Sequence, residues 1–136
     1  MPPPAKPSAE ETAAERERLF NEAKAAIAGR ENEPAGKVYK DITILDDVTA
    51  GVLLGIMNTG FSKALGVSCT HCHTPGEWDR NDKRPKEAAR EMVRFSQKIN
   101  YELLPQLKNL ANEKRGINCT TCHRGEVKPS QSLTPR

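Results

Sequence analysis

The sequence predicts a mostly α-helical single domain with extended termini. Three observations predict it. Apolar residues recur at three-to-four spacing in three segments, helix-starting residues stand in front of those segments, and no stretch carries a robust strand pattern. At 136 residues the chain is one domain by length.

Residues 1–7 hold four prolines and read as an extended, loosely ordered arm. Ser8 then caps a first helix, with Glu11 three residues on as the partner of a capping box. Phe20, Ala23 and Ile27 fall on one face, and Gly29 stops the helix. Arg30–Lys37, with Pro34 and Gly36, reads as a linker. Val38–Leu45 suits a short strand or an extended arm. Asp46 or Asp47 is the expected cap of a second helix that runs to about Lys63. Its expected apolar face holds Val48, Val52 and Ile56, with Leu53 and Met57 beside them. Gly66 marks the next break. Gly76–Pro85 is polar and rich in turn residues, and Pro85 suits the first turn of a third helix. Met92, Phe95, Ile99 and Leu103 form the stripe of that helix, which Pro105 ends or kinks. A further helical piece is expected over Gln106–Lys114, and Gly116 turns the chain onward. Beyond His123 the chain is rich in Gly, Pro and Ser and should run over the surface.

The composition sets limits. Three Phe, two Tyr and one Trp make a poor supply of core-forming side chains. Twenty-one basic and eighteen acidic residues give a formal charge of +3, a mixed surface with no nucleic-acid patch. No stretch approaches the roughly 18 apolar residues of a membrane span. The opening MPPPAKPS has no apolar h-region of an export signal.

All four cysteines lie in two copies of one motif: Cys69-Thr70-His71-Cys72-His73 and Cys119-Thr120-Thr121-Cys122-His123. C-x-x-C-H is the attachment motif of c-type haem. Two thiols add to the two vinyl groups of one porphyrin edge, and two intervening residues let both sulfurs reach. The following histidine gives its imidazole to the iron as proximal ligand. A four-cysteine zinc site also uses paired C-x-x-C, but zinc ribbons separate the pairs by about 15–20 residues. Here 46 residues lie between Cys72 and Cys119. A thioredoxin-like site needs one pair near a βαβ pattern, which is absent. Disulfides are possible in an exported protein. Neither zinc nor a disulfide asks for a histidine after both pairs. The expectation is two covalently bound haem c groups, which would also supply missing apolar bulk. Because haem is attached outside the cytoplasm, the expected location is the periplasmic or extracellular side of a bacterial membrane, with the export signal removed from this chain.

The second axial ligands come from a short list. His73 and His123 are the proximal candidates, so His71 is the third and last histidine. Met57 lies 12 residues before Cys69, and Met92 lies 27 before Cys119. Both stand on expected helices, and both are candidate distal ligands; the alternative for each is core filling. His71, inside the first motif, should point away from its own haem and reads as a surface residue. Met/His ligation raises the potential over bis-His. Trp78 and Tyr101 are candidates to pack on porphyrin, and Arg124 is a candidate partner of a propionate.

At these residues the chain resembles the cytochrome c subunit of photosynthetic reaction centres and related small dihaem proteins. The resembling stretches are Leu65 through His73, Trp78-Asp79, Pro85-Lys86, Ala89-Arg90-Glu91-Met92, Ile99-Asn100 and Cys119 through Gly125, all within about residues 38–129. The resemblance implies helix–turn–CxxCH units around each haem, with a methionine of the preceding helix on the iron. Met57 matches that position for the first haem. For the second, the family often has two methionines three residues apart before Ile-Asn. Here Met92 is the first and Phe95 stands at the second, which leaves the second distal ligand open. The implied division is an arm with one helix and a linker (1–37), a dihaem cytochrome domain (38–129) and a C-terminal tail (130–136).

Three functions follow. The first is single-electron transfer between redox partners, as donor to or component of a membrane electron-transfer or photosynthetic complex. The second is a multihaem conduit or filament built by self-association. The third, least favoured, is a dihaem peroxidase-like enzyme, which needs an open iron face and an acid/base group above it.

Overall fold

A computed structural model describes residues 1–110 and 116–133 of the chain. Among them no strand occurs; two isolated antiparallel bridges, Pro34 with Thr49 and Thr74 with Glu77, are the nearest approach to one. The chain is mostly helical, as the periodicity predicts.

Helix α1 spans Ala9–Ala26 and begins on the expected capping box: Ser8 Oγ accepts from Glu11 N, and the Glu11 carboxylate accepts from Ser8 N. Its inner face differs from the Phe20/Ala23/Ile27 stripe. Arg16, Leu19 and Ile27 are buried, while Phe20 and Ala23 are half-buried. The expected linker contains a short helix α2, Ala35–Val38, and the region after it is extended without pairing as a strand.

Helix α3, Ala50–Gly55, starts two to three residues later than expected. Thr49, not Asp46 or Asp47, is its cap, accepting from Val52 N. The register of its inner face changes accordingly. Ala50 and Leu53 are buried, whereas Val52 is exposed. Ala50 lies fully inside, where α2 and α1 pack on this short helix. The chain continues without a break into a π-helical segment, Ile56–Lys63, which carries Met57.

Helix α4, Arg84–Lys98, has Pro85 in its first turn and runs into a second π-helical segment, Ile99–Leu103. A single 3-10 turn, Leu104–Gln106, follows at Pro105. The helical piece expected from Gln106 does not form over 107–110: Leu107 leaves the helical region, with φ −86° and ψ 93°, and the chain turns. Residues 111–114 of that expectation lie outside the described residues.

The apolar core is small: Leu19, Ile27, Ala35, Ala50, Leu53, Ala64 and Val93. Three of these are alanines. Helix α4 joins it mainly through polar contacts, since only Lys86 and Val93 of its residues are buried. Arg90 anchors it instead. One Arg90 nitrogen donates to the Asp41 backbone oxygen at 2.8 Å and pairs with the Asp41 carboxylate at 3.2 Å. The other reaches Asn81 and Glu87. Met92, Phe95 and Leu103, three members of the stripe read from the sequence, are roughly half-exposed on the polypeptide surface.

Candidate functional site

Gly66, with φ of 69°, turns the chain out of the π-helical segment toward the first motif. Val67 N then donates to Ser62 O at 2.9 Å, which closes the turn. Cys69–His71 form a single 3-10 turn, and His73 N donates to Cys69 O at 3.0 Å. Cys69, Cys72 and His73 therefore lie on one tight coil of backbone, each half-buried.

Three residues of other elements hold this coil. Glu15 of α1 accepts from Ser68 Oγ at 2.5 Å and Thr70 Oγ1 at 2.7 Å. Those hydroxyls, the larger influence first from Ser68, hold the Glu15 carboxyl below the usual carboxylate range. Arg16 Nε donates to Val67 O at 2.9 Å. From the other side, Lys83 Nζ donates to Thr70 O at 2.6 Å and to His73 O at 3.2 Å.

The His73 ring is fixed by its surroundings. Its Nδ1 lies 3.0 Å from the Trp78 backbone oxygen, and its ring meets the Trp78 ring edge-on, centroids 5.5 Å apart. A carbonyl oxygen only accepts, so Nδ1 carries the proton and Nε2 keeps its lone pair. Burial, followed by the nearby Lys86 charge, pushes the imidazole pKa down and favours the neutral ring.

The second motif has the same logic in a different frame. Cys119–His123 form a short helix, α5, capped by Asn118, whose Oδ1 accepts from Thr121 N at 3.1 Å. Thr121 Oγ1 in turn accepts from Asn118 N at 3.0 Å, completing a second capping box. Arg124 and Gly125, both at positive φ, end it. His123 Nδ1 lies 3.0 Å from Glu126 O, which again assigns the proton to Nδ1 and leaves Nε2 free to ligate. Upstream, Asn100 clamps the entering chain: its amide donates to Ile117 O at 2.9 Å and its oxygen accepts from Ile117 N at 2.7 Å.

The two motifs are tied to each other by backbone. Gly125 N donates to Ala64 O at 2.7 Å, and a Cβ on Gly66 would stand 2.0 Å from Gly125 O. Two positions that flank the motifs thus touch with no side chain between them.

Cys69, Cys72, Cys119 and Cys122 are free thiols. Burial pushes the first three up, so they are neutral at pH 7 rather than thiolate. Among the described residues no group of three or more His, Cys, Asp or Glu is gathered together.

The remaining sequence candidates are placed as follows. Met57 is half-buried on the first π-helical segment. Next to it Asn58 Oδ1 is buried without a hydrogen-bond partner. Met92 is exposed on α4, in line with Phe95. His71 is half-buried, and burial lowers its pKa. Tyr101 is exposed. Arg124 makes no ion pair among the described residues. Sequence reasoning missed Glu15, Arg16 and Lys83. Lys86 and Asn100 stood within the quoted stretches but without a role; their bonds to backbone carbonyls and amides leave no local pattern.

The chain matches the family model described as "Photosynthetic reaction centre cytochrome C subunit" over residues 4–135. It is similar to the photosynthetic reaction center cytochrome c subunit of Roseobacter denitrificans, 31% identical over 127 residues, covering 88% of this chain and 33% of that protein. The corresponding subunit of Thermochromatium tepidum is 26% identical over 129 residues, 83% of this chain and 30% of the relative. Cytochrome c-554 of Chloroflexus aurantiacus is 29% identical over 83 residues, 61% of this chain and 20% of the relative. The chain spans about a third of the length of the reaction-centre relatives it matches.

Proposed function

Because the chain belongs to the photosynthetic reaction centre cytochrome c subunit family, we propose that it binds two covalent haem c groups and carries single electrons between redox partners. The observation that carries this reading is the paired state of His73 and His123. Each follows a C-x-x-C pair, each holds its proton on Nδ1 against a backbone carbonyl, and each presents Nε2 as a lone-pair donor.

The residues fit the group in three further respects. The thiols are free and spaced for two vinyl attachments. The half-exposed stripe of Met92, Phe95 and Leu103 is apolar surface of the kind a porphyrin covers. Asn58 Oδ1, buried and unpartnered beside Met57, marks polar space at the first site. In this reading residues 38–129 contain both sites and α1 braces the first from outside.

Each haem supplies an iron that alternates between ferrous and ferric states. The protein's part is to bind, orient and tune. Cys69, Cys72 and His73 would hold the first, with Met57 as a further donor; Cys119, Cys122 and His123 would hold the second, with Met92 as a further donor. The Gly66–Gly125 contact would keep the two sites at a set spacing. Thioether donors at both irons would favour the ferrous state and give high potentials. The partners are redox proteins or a membrane electron-transfer complex on the periplasmic side, in keeping with the reaction-centre relatives. No described helix is long and apolar enough to cross a membrane.

The test is a visible spectrum of the dithionite-reduced protein with and without carbon monoxide, together with a pyridine haemochrome count. Two haems per chain and a c-type spectrum unmoved by CO support a dedicated carrier. One haem, or none, refutes the dihaem reading. A large CO shift would mean an open iron face, and the exposed Met92 makes the second site the place to look.

A further inference from the structure

We propose that Lys86 is a positioning residue that raises the reduction potential of the first haem by sharing the Trp78 carbonyl with the His73 ring. The inference rests on the proposed ligation of that haem by His73.

Lys86 is a buried lysine, 9% exposed, in the first turns of α4. Its Nζ donates to Trp78 O at 2.9 Å and to Arg80 O at 2.9 Å. Among the described residues it forms no ion pair; Asp41, Asp79 and Asp82 act on it only from a distance. A buried ammonium held by two backbone oxygens keeps most of its field, since no carboxylate in contact cancels it. The Trp78 oxygen has two lone pairs. One takes the His73 Nδ1–H at 3.0 Å and the other takes Lys86.

Two effects follow, and they have one sign. A carbonyl oxygen that already binds a cation has less electron density to offer the imidazole N–H. The His73 N–H is then less polarised, the ring is less imidazolate-like, and it donates less to the iron. A weaker donor favours ferrous over ferric iron. The ammonium charge acts directly in the same sense, because the ferric state carries one more positive charge. Removing Lys86 should therefore lower the potential of the haem on His73. The second haem is the internal control, because its histidine bonds to Glu126 O instead.

The experiment compares Lys86→Met and Lys86→Arg with the unaltered holoprotein. Haem attachment is first checked by mass spectrometry of the Cys69–His73 and Cys119–His123 peptides. The two midpoints are then read by spectroelectrochemistry. With both haems attached, K86M should lower the ferrous-to-ferric ratio of the first haem about tenfold at fixed potential. That is 59 mV for a one-electron couple. The second midpoint should hold, and K86R should restore most of the first. In the reduced protein the His73 Nδ1–H resonance should move downfield in K86M, as its hydrogen bond strengthens. If K86M does not accumulate, Lys86→Gln keeps a donor and drops the charge, and should shift the first midpoint in the same direction by a smaller amount. An unchanged first midpoint with both haems in place overturns the inference and leaves the haem reading standing. Equal shifts at both haems overturn it as well, because they mean general loosening. Absence of haem from the Cys69–His73 peptide of the unaltered protein overturns both.

Discussion

Alanine at Gly66 puts a methyl group where backbone already stands. The new Cβ would lie 2.0 Å from the Gly125 carbonyl oxygen and 2.9 Å from its carbonyl carbon. An ordinary carbon–oxygen contact begins near about 3.3 Å, so the two chains must part by roughly 1 Å. No rotamer change can relieve the clash, because the obstructing atoms are main chain. Parting them stretches the 2.7 Å bond from Gly125 N to Ala64 O, worth about 1 kcal/mol. The positive φ of 69° adds about 1–2 kcal/mol for any residue with a Cβ. Gly66→Ala should thus cost about 2–4 kcal/mol, the sum of these terms and residual strain. Gly76→Ala is the matched control. Its φ is 79°, but nothing lies within 4 Å of its would-be Cβ. It should lose only about 1–2 kcal/mol. Urea unfolding of both holoproteins, followed by far-ultraviolet circular dichroism, measures the difference. If the two variants fall within about 0.5 kcal/mol of each other, the backbone contact between the motifs is not a constraint and the fixed-spacing argument fails.

Glu15→Gln should destabilise the protein by about 1 kcal/mol at neutral pH, since a neutral amide oxygen accepts from Ser68 and Thr70 less strongly than a carboxylate. The Glu15 pKa is depressed in the folded protein, so its contribution is present above the unfolded value and lost as pH falls through the folded one. Melting temperatures of the two proteins should therefore converge toward the acid end; a constant gap down to pH 3 would refute the assignment. Asn100→Ala leaves both Ile117 backbone groups without their partner and should cost about 2–3 kcal/mol. It should also perturb the spectrum of the haem proposed on Cys119 and Cys122 while sparing the one proposed on Cys69 and Cys72, as magnetic circular dichroism can resolve. Met57→Ala should lower the first haem's potential and let the reduced protein bind CO; an unchanged spectrum and midpoint would remove Met57 from the ligand set.

Local chemistry was readable from the residues and long-range contacts were not. Ser8 and Glu11 announce α1 because a capping box is complete within four residues. The C-x-x-C-H pairs are equally local, which is why Cys69, Cys72, His73, Cys119, Cys122 and His123 stand out unaided. Thr49 was overlooked as a cap because Asp46 and Asp47, two plausible caps, precede it. The Val48/Val52/Ile56 stripe misplaces the inner face of α3. It weighs bulky side chains, while the residue fully buried there is Ala50, a small one. The stripe of Met92, Phe95 and Leu103 has the spacing of a core face and yet is half-exposed, because no described element packs over it. Glu15 and Ser68 are 53 residues apart, and nothing in either neighbourhood signals the other. The turn from α to π geometry at Ile56 and at Ile99 likewise has no counterpart in composition.

Those two π-helical stretches give the protein an unusual sensitivity to chain length. Each closes its hydrogen bonds from i to i+5 and so takes up more residues per turn than an α-helix of the same span. One holds Met57 and the other holds Asn100, both upstream of a Cys motif. Deleting a single residue between Met57 and Lys63 would rotate Met57 against the chain that leads to Cys69 by up to about 100°, the turn that one helical residue contributes. A point substitution leaves that angle alone. Homologous chains should therefore accept exchanges along these stretches far more readily than gaps, and an alignment that opens one there would signal a different side chain at the position of Met57.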